Sequence, residues 1–396
     1  MLDLRKVAAA LAAKRDQFQL YDRTHGSAVE SYRQRWLEAA RLTCAEIEAR
    51  LRGHECPGAR PSVEHDRYRA PVVPFGQRWE NHEQARAWAR QVLLGIPTIA
   101  VDGSQITPSR DFSLPVGAVQ IGWYENLHDP AGHYTKDVSF EVLPPGELAG
   151  EDEIGSDFPD WQVNRRRFQG ECERLIACME AYRDRQPKPV CFFDGSLIIS
   201  FVQHMLPERQ AFYIEAITRL LNTSASTRVP LIGYVDTSYA ADLAAMLDTL
   251  AGRSEAGPIS DGAFLRPLLR WGDRTPAWLC ARRDRVRWAE PAARYYEQVG
   301  FVYLKTTADN PPARLDFPRW LLEQGNLEQV LDVVRAECVI GNGYPYAAET
   351  ADAVAVITLQ DRERFYAAFQ RFAVREKLPL RFSRKAGSKL GRRTSG

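Results

Sequence analysis

The sequence predicts an α/β fold built on a mixed β-sheet. Short apolar segments rich in β-branched and aromatic residues alternate with helical segments along the 396 residues. Two further segments, 118–124 and 134–143, alternate apolar and polar residues as antiparallel strands do. Two of the apolar strands also lead into the same tripeptide, Asp-Gly-Ser, at 102–104 and 194–196. The length permits two ordinary domains or one elaborated domain with a large core.

The N-terminal part of the chain, residues 1–94, is predicted to be a helical extension. It is rich in Ala, Arg, Glu and Leu, and a long second helix is expected over 29–51. Prolines and a glycine within 57–74 indicate a loop-rich connection. A helix over 83–94 then leads to the first Asp-Gly-Ser strand.

Residues 95–376 are predicted to form the main domain. Its strands are expected at 98–102, 118–124, 134–143, 190–194, 230–236, 300–305 and 313–317, and its helices at 160–185, 207–222, 239–251, 322–336 and 361–375. The segment 252–275 is interpreted as a loop with a short helix, an insertion into this domain. The basic, Gly/Ser-rich tail over 377–396 fits a disordered segment or one that attracts phosphate.

Composition narrows the class of protein and its partners. A hydrophobic content of 45%, a charged content of 26% and a net charge of +1 are typical of a soluble globular protein. They give no overall reason to expect nucleic acid or a membrane as partner, so any basic surface must be local. No stretch is apolar enough for a membrane span, and the charged N-terminus favours an amphipathic helix over a signal peptide. Seven scattered cysteines without a CxxC pair predict reduced thiols and a cytoplasmic location.

The two Asp-Gly-Ser copies supply the first candidate site residues, Asp102 and Asp194. Each aspartate is expected where a buried strand emerges and the following glycine ends it, and a buried carboxylate is costly unless it is paired or holds a metal ion. Either copy alone is explained by turn chemistry, with Asp capping a turn and Gly at positive φ. Two copies after matching strands favour one shared cation.

The helix before the second copy supplies a third candidate carboxylate. At about 100° per residue, Glu171 lies on the flank of the apolar stripe, whereas Glu173 and Glu180 point roughly the opposite way. A carboxylate at the edge of the buried stripe is the one that can reach the edge of the sheet. Glu171 is therefore the first choice and Glu173 the reserve. The alternative is that all three glutamates only solvate the helix.

Carboxylates gathered at strand ends suit hard divalent cations such as Mn²⁺ or Mg²⁺, which take oxygen ligands. In nucleases, a pair of such ions about 4 Å apart activates water and stabilises the leaving oxygen. A histidine-rich zinc site is not expected, because the seven histidines are scattered and none follows His204. A haloacid dehalogenase-type phosphatase is disfavoured, because it needs a second aspartate where Ser104 and Ser196 stand.

The order of these motifs resembles that of the NurA nucleases. The resemblance rests on the two Asp-Gly-Ser strands, the glutamate-bearing helix before the second, and Gly343-Tyr-Pro-Tyr346 followed by Ala351-Asp-Ala353. It implies an RNase H-like core and a Mn²⁺-dependent (or Mg²⁺-dependent) enzyme with 5′–3′ exonuclease and endonuclease activity on DNA. It further implies a homodimer that works with a HerA-type hexameric ATPase in DNA end resection and repair.

The resemblance also implies roles for individual residues. Asp102 and Asp194 would be metal ligands, and Glu171 a third carboxylate. Archaeal members carry a histidine in an Ala-His context after the Tyr-Pro motif, where this chain has Asp352. An aspartate can ligate a divalent ion, so Asp352 is the fourth candidate, and it changes the charge balance of the metal site. The alternative for Asp352 is a helix N-cap.

Three further residues are candidates for contact with DNA. Tyr344 and Tyr346 would stack on a base or flank the scissile phosphate, although Pro345 between them also suits an ordinary turn. Lys305, at the end of a predicted strand, is a candidate phosphate contact. The leading hypothesis is a metal-dependent deoxyribonuclease. The competing hypothesis is a non-catalytic adaptor that retains the fold and binds DNA or the ATPase, which the aspartate in place of histidine favours.

Overall fold

The computed structural model describes residues 2–109, 111–148, 160–253, 259–282 and 291–381, except for the side chains of 291–294. The α-helices are α1 (Leu4–Ala12), α2 (Arg15–Ala39), α3 (Cys44–Arg50), α4 (Val63–Tyr68), α5 (His82–Leu93), α6 (Pro145–Leu148), α7 (Asp160–Ala181), α8 (Pro207–Thr227), α9 (Asp242–Leu250), α10 (Asp261–Leu265), α11 (Trp320–Glu323), α12 (Leu327–Ile340), α13 (Tyr346–Ala355) and α14 (Leu359–Arg375). The strands are β1 (Gly58–Pro61), β2 (Thr98–Ile106), β3 (Gly117–Asn126), β4 (Tyr134–Leu143), β5 (Val190–Asp194), β6 (Leu231–Val235), β7 (Trp278–Ala281), β8 (Val299–Leu304) and β9 (Ala313–Pro318). Two 3₁₀ helices, η1 (Ser200–His204) and η2 (Pro291–Gln298), complete the elements.

Across the described ranges, nine strands form a mixed sheet in the order β1-β7-β8-β9-β6-β5-β2-β3-β4. Strands β2, β3 and β4 are antiparallel neighbours, and β2 pairs with β5 in parallel. The predicted α/β class with a mixed sheet flanked by helices is confirmed. The part of the sheet from β4 to β6 has the arrangement expected of an RNase H-like core: an antiparallel meander whose first strand pairs in parallel with the next strand along the chain.

The chain divides into two compact units. The first consists of the described residues of 1–82, 196–198 and 233–327, and the second of those of 83–195, 199–232 and 328–396. All four candidate carboxylates (Asp102, Glu171, Asp194 and Asp352) belong to the second unit. No helix in the described part of the chain is both long and apolar enough to cross a membrane.

The first unit combines an aromatic core with buried ion pairs. The Trp36 ring packs against Phe264 and Trp278, with centroids 6.3 and 5.5 Å away. Arg274 is fully buried and donates to both carboxylate oxygens of Glu64, at 2.6 and 2.9 Å. A buried charge is tolerated only when it is paired, and this bidentate contact pairs the charges of Arg274 and Glu64 inside the unit.

In the second unit, helices α7 and α13 pack on β2 and β3. The predicted apolar stripe of α7 is buried, including Phe168, Cys172, Leu175 and Met179. The strand residues below it are buried as well, and Phe192 has no exposed surface. Fully burying a side chain of this size contributes about 1.5–3 kcal/mol.

The prediction of one long helix over 29–51 is wrong, because the chain forms two helices there. Helix α2 ends at Ala39 and α3 begins at Cys44. Between them, Thr43 and Glu46 form a capping box, in which each side chain bonds the backbone N–H of the other. This local signal is present in the sequence and starts a new helix.

Two other expected segments differ from the structure. In place of the single helix expected over 322–336, the chain forms two helices, α11 and α12. They are separated at Gly325, whose φ of +74° ends α11. The connection over 57–74 contains β1 and α4 in addition to loop. The short helix expected within 252–275 is α10. Residues 254–258 of that segment, and residues 382–396 of the predicted basic tail, lie outside the described residues.

Candidate functional site

The parallel pairing of β2 with β5 places the two aspartates side by side. Its register aligns Val101 with Phe193, so the next residue of each strand is one of the aspartates. Val101 and Phe193 are buried, Asp102 is half-buried and Asp194 is exposed. The two Asp-Gly-Ser copies therefore present their carboxylates at adjacent positions of the sheet.

The glycines that follow the two aspartates have different structural functions. Gly103 remains in β2, paired with Ile121, so the expectation that the strand ends here is wrong. A Cβ at position 103 would lie 2.5 Å from Glu171 Oε1 and 2.8 Å from Arg167 Cγ, so glycine allows α7 to approach the strand. Gly195 has a φ of +135° and follows the last residue of β5, as predicted.

Glu171 approaches the two aspartates from α7. It is 6% exposed, and its carboxylate accepts a short hydrogen bond from Nη1 of Arg167, one turn earlier. Burial raises the pKa of Glu171 to about 8; the cation of Arg167 opposes this rise, and the charges of Asp102 and Asp194 add to it. This carboxylate is thus part of the same electrostatic cluster as the aspartates.

The other two glutamates of α7 make ion pairs away from this cluster. Glu173 accepts from Arg166 at 3.1 Å and from Gln169 at 2.8 Å. Glu180 pairs with Arg183 at 2.7 Å. The structure therefore brings Glu171, the first choice, to the aspartates, and it does not bring the reserve Glu173 there.

The surroundings of Asp102 disfavour its negative charge. Burial, with a smaller contribution from the carboxylates of Asp194 and Asp352, raises the pKa of Asp102 to about 6. The Gly103 amide and the cation of Arg167 act in the opposite direction. Asp102 is thus half-buried among like charges that repel one another. A bound divalent cation would stabilise such a group of carboxylates.

Asp352 and an unpredicted neighbour contribute from α13. Asp352 lies within the helix and is exposed, and the N-cap position is occupied by Pro345, so the N-cap alternative for Asp352 is wrong. A cleft of about 250 Å³ is lined by Asp194, Gly341, Tyr344, Glu349 and Asp352. Glu349 precedes Asp352 by three residues, a spacing that places both acids on one face of a helix and that was available from the sequence.

The two tyrosines of the Tyr-Pro-Tyr segment are placed differently. Tyr344 donates its hydroxyl to Oδ1 of Asp194 at 2.7 Å and so orients that carboxylate. Tyr346 is 38% exposed, and its ring stands edge-on to Tyr124 with centroids 6.0 Å apart. The cleft thus contains Tyr344 as a hydrogen-bonding group.

Lys305 and the two serines of the motifs make hydrogen bonds of their own. Lys305 belongs to the first unit, is 3% exposed and donates Nζ to the carbonyl of Asn310, which does not favour a phosphate contact. That role stays a prediction. Ser104 Oγ accepts from the Ile357 amide at 3.2 Å, and Ser196 Oγ donates to Asp316 at 2.5 Å.

A buried glutamate that sequence reasoning missed anchors α13. Glu337, 1% exposed on α12, accepts from Thr98 Oγ1 at the start of β2 and from the Ala347 amide at the start of α13, both at 2.8 Å. At the other end of α13, Gln120 of β3 donates to the carbonyl of Ala355 at 3.0 Å. The helix that carries Asp352 is therefore tied to the strand that carries Asp102.

The four candidate carboxylates offer oxygen donors only, which suits a hard divalent cation and not zinc with thiolate ligands. In the described part of the chain, no three acidic, histidine or cysteine side chains are already arranged as a ligand set. Asp194 and Asp352 are exposed, so an ion can reach them from solvent. The donor chemistry of these carboxylates fits a hard divalent ion.

Comparison with known proteins adds a family match. The model of the NurA domain matches residues 97–357. Among solved structures, the chain is similar to a crystal structure of NurA with manganese (11% identity, 69% of this chain and 89% of that chain, TM-score 0.41). It is also similar to the catalytic domain of human endonuclease V (12% identity, 78% and 93%, TM-score 0.32) and to the C-terminal lobe of a budding yeast Argonaute (9% identity, 67% and 48%, TM-score 0.25). No curated protein matches the chain. Because these identities and TM-scores are low, the family assignment rests on the domain match.

Proposed function

This chain belongs to the NurA family, and we propose that it is a metal-dependent deoxyribonuclease that hydrolyses phosphodiester bonds. The observation that carries the proposal is the meeting of Asp102, Asp194 and Glu171, from two adjacent parallel strands and the helix packed on them. Asp352 approaches the same group from α13. Family membership supports a nuclease, and the acidic cluster supplies the chemistry.

Asp102 and Asp194 would hold Mn²⁺ or Mg²⁺, with Glu171 and Asp352 as further ligands. When bound, such ions polarise the phosphodiester and lower the pKa of a coordinated water. Around them, Tyr344 fixes the orientation of Asp194 through its hydroxyl. Arg167 partly balances the charge of buried Glu171, which keeps that carboxylate beside the strand.

Family membership also supports finer proposals. These are 5′–3′ exonuclease and endonuclease activity, a homodimer, a HerA-type hexameric ATPase as partner, and a cytoplasmic function in DNA end resection and repair. We place the nuclease domain at 95–376, preceded by an N-terminal region over 1–94 that is mostly helical and also contains β1. In this proposal, the exposed part of Tyr346 faces the substrate.

The test is Mn²⁺-dependent degradation of linear DNA by the Asp102→Asn variant. Asparagine keeps the size of the side chain and removes the charge that a divalent ion needs, so we expect activity to fall by about two orders of magnitude or more. Because burial already opposes the charge on Asp102, the variant should retain the fold. Glu180→Gln, which alters only the surface pair with Arg183, is the matched control and should remain active.

Full activity of Asp102→Asn would contradict the assignment of the site. Salt-sensitive DNA binding by the wild-type protein without cleavage in either Mn²⁺ or Mg²⁺ would instead identify the non-catalytic adaptor.

A further inference from the structure

A cluster of aromatic rings and arginines lies on helices α7 and α8 of the second unit. It consists of Trp161 and Arg165 of α7, Phe201 of η1, and Arg209 and Phe212 of α8. We call these five residues the aromatic platform. The acidic cluster does not use any of them.

The platform is organised around a buried ring, Tyr213, which is 3% exposed. Three other rings stand at steep angles to the Tyr213 ring. They are those of Trp161, Phe201 and Phe212, with centroids 5.7, 5.1 and 5.6 Å from the Tyr213 centroid. Edge-to-face contacts at these separations are favourable, so the three rings have defined orientations. The platform therefore presents its rings at defined angles around Tyr213.

Two guanidinium groups lie over the rings of the platform. The Arg165 guanidinium is 4.4 Å from the Phe212 centroid, and that of Arg209 is 4.8 Å from the Trp161 centroid. Within the described residues, Arg165 makes no ion pair with a carboxylate. Both guanidinium groups carry a positive charge, which attracts an anionic partner.

One ring of the platform faces solvent. Phe201 is 51% exposed, although one of its edges packs on Phe168 and Tyr213. Trp161 and Phe212 are part-exposed. A fixed, half-exposed phenylalanine beside arginines offers a stacking surface next to positive charge.

The platform adjoins the acidic cluster through shared neighbours. Phe168, which contacts Phe201, also packs on Phe193, the residue before Asp194, at a centroid distance of 6.1 Å. The Tyr213 hydroxyl is influenced by the charges of Arg167 and Glu171 as well as by those of Arg165 and Arg209. The platform and the acidic cluster therefore share buried neighbours in the second unit.

We propose that the aromatic platform binds the single-stranded part of the DNA substrate, with a base stacked on Phe201 and a phosphate at Arg165. This inference rests on the proposed nuclease function and specifies its substrate. Stacking on an aromatic ring does not depend on base identity, and the arginines attract any phosphate, so binding is not sequence-specific. The bases must be unpaired, because those of a duplex are already stacked on one another.

The test measures the affinity for a fluorescein-labelled oligothymidylate and for a blunt duplex by fluorescence anisotropy, in a chelator that prevents cleavage. We expect Phe201→Ala to raise the Kd for the single strand roughly tenfold and to leave the Kd for the duplex unchanged. Arg165→Ala should weaken single-strand binding and reduce the slope of log K against log salt by about 0.7.

The chain provides a matched control elsewhere in the second unit. Phe372 of α14 is 45% exposed, and the Arg375 guanidinium lies 5.6 Å from its centroid. Phe372→Ala and Arg375→Ala should bind the single strand as the wild type does. Phe201→Leu retains an apolar contact with Phe168 and removes only the aromatic face, so it should reproduce the defect of Phe201→Ala in a well-packed protein.

Unchanged single-strand affinity in Phe201→Ala and Phe201→Leu would overturn the platform, while cleavage by the wild type would still support the nuclease. Equal losses for single strand and duplex, or an equal loss in Phe372→Ala, would also overturn it. If the wild type cleaves no DNA but Phe201 governs single-strand binding, the nuclease function fails and the platform stands.

Discussion

Gly103 and Gly195 occupy the same place in two identical tripeptides, yet the fold uses them for different reasons. Gly103 lies inside β2 and lets the Glu171 carboxylate approach the strand, where a Cβ would be 2.5 Å from Oε1. Gly195 supplies a left-handed turn at the end of β5. A tripeptide that looks like turn chemistry is therefore, in its first copy, a packing requirement of the acidic cluster.

At the same scale, the protonation of Glu171 predicts how stability depends on pH. The pKa of Glu171 is raised from its ordinary value of 4.5 to about 8 in the folded chain, mainly by burial. Between these values the folded state binds more protons than the unfolded state, so without metal ions the free energy of unfolding falls as pH rises. The expected loss is of the order of 1 kcal/mol for each unit of pKa shift.

The measurement is the melting temperature in a chelator at pH values from about 4.5 to about 8, a window that the pKa of Glu171 defines. Glu171→Gln removes this titration, so its melting temperature should decline less over the window than that of the wild type. Glu180→Gln is the surface control and should decline as the wild type does. Parallel curves for wild type and Glu171→Gln would show that Glu171 does not titrate in this range.

At the scale of elements, the position of Asp352 depends on how α13 packs. Glu337 holds the start of the helix, and Gln120 holds its end. Between them the helix lies against the backbone of β3 at Gly122, where a Cβ would be 2.7 Å from the Ala355 amide nitrogen. Because backbone atoms cannot move aside, glycine is required for this approach.

Gly122→Ala is therefore expected to push α13 away from β3 and to destabilise the protein by about 1–3 kcal/mol. It should also lower Mn²⁺-dependent cleavage, since Asp352 and Glu349 move with the helix. Denaturant unfolding and cleavage of linear DNA are the measurements. The control is Gly146→Ala, because no atom lies within 4 Å of a Cβ at that position. A Gly122→Ala variant as stable and active as the control would disprove the close packing of α13.

At the scale of the whole molecule, charge is almost balanced, with 52 basic and 51 acidic residues. Attraction to DNA must therefore come from local surfaces such as the aromatic platform, and attraction to divalent ions from the acidic cluster. A ligand that binds only the folded state stabilises it by mass action.

Mn²⁺ is accordingly expected to raise the melting temperature of the wild-type protein. At a free concentration about 100 times its Kd, the stabilisation is about 2.7 kcal/mol. Scanning calorimetry with and without Mn²⁺ measures it, independently of cleavage. The combined variant Asp102→Asn and Asp194→Asn should lose the effect. An equal rise in that variant would place the ion elsewhere in the molecule.

Local patterns in the sequence were sufficient for the class of the fold, and they supplied the first candidates for the site. Apolar strands, alternating segments and helical periodicity each reflect neighbours close along the chain, so they predicted the α/β class correctly. The repeated tripeptide identified Asp102 and Asp194, and the phase of α7 selected Glu171 over Glu173. The capping box at Thr43, which divides the predicted helix over 29–51, is an equally local signal.

Only the tertiary structure decided what depends on residues far apart in the chain. The register of β2 on β5 makes the two aspartates neighbours, the approach of α13 brings Asp352 and Glu349 to the cleft, and buried Glu337 ties that helix to β2. Such contacts arise from packing and hydrogen bonding between elements that no short sequence window contains. The sequence by itself determined which carboxylates are available, and the packing of strands and helices decided which of them meet.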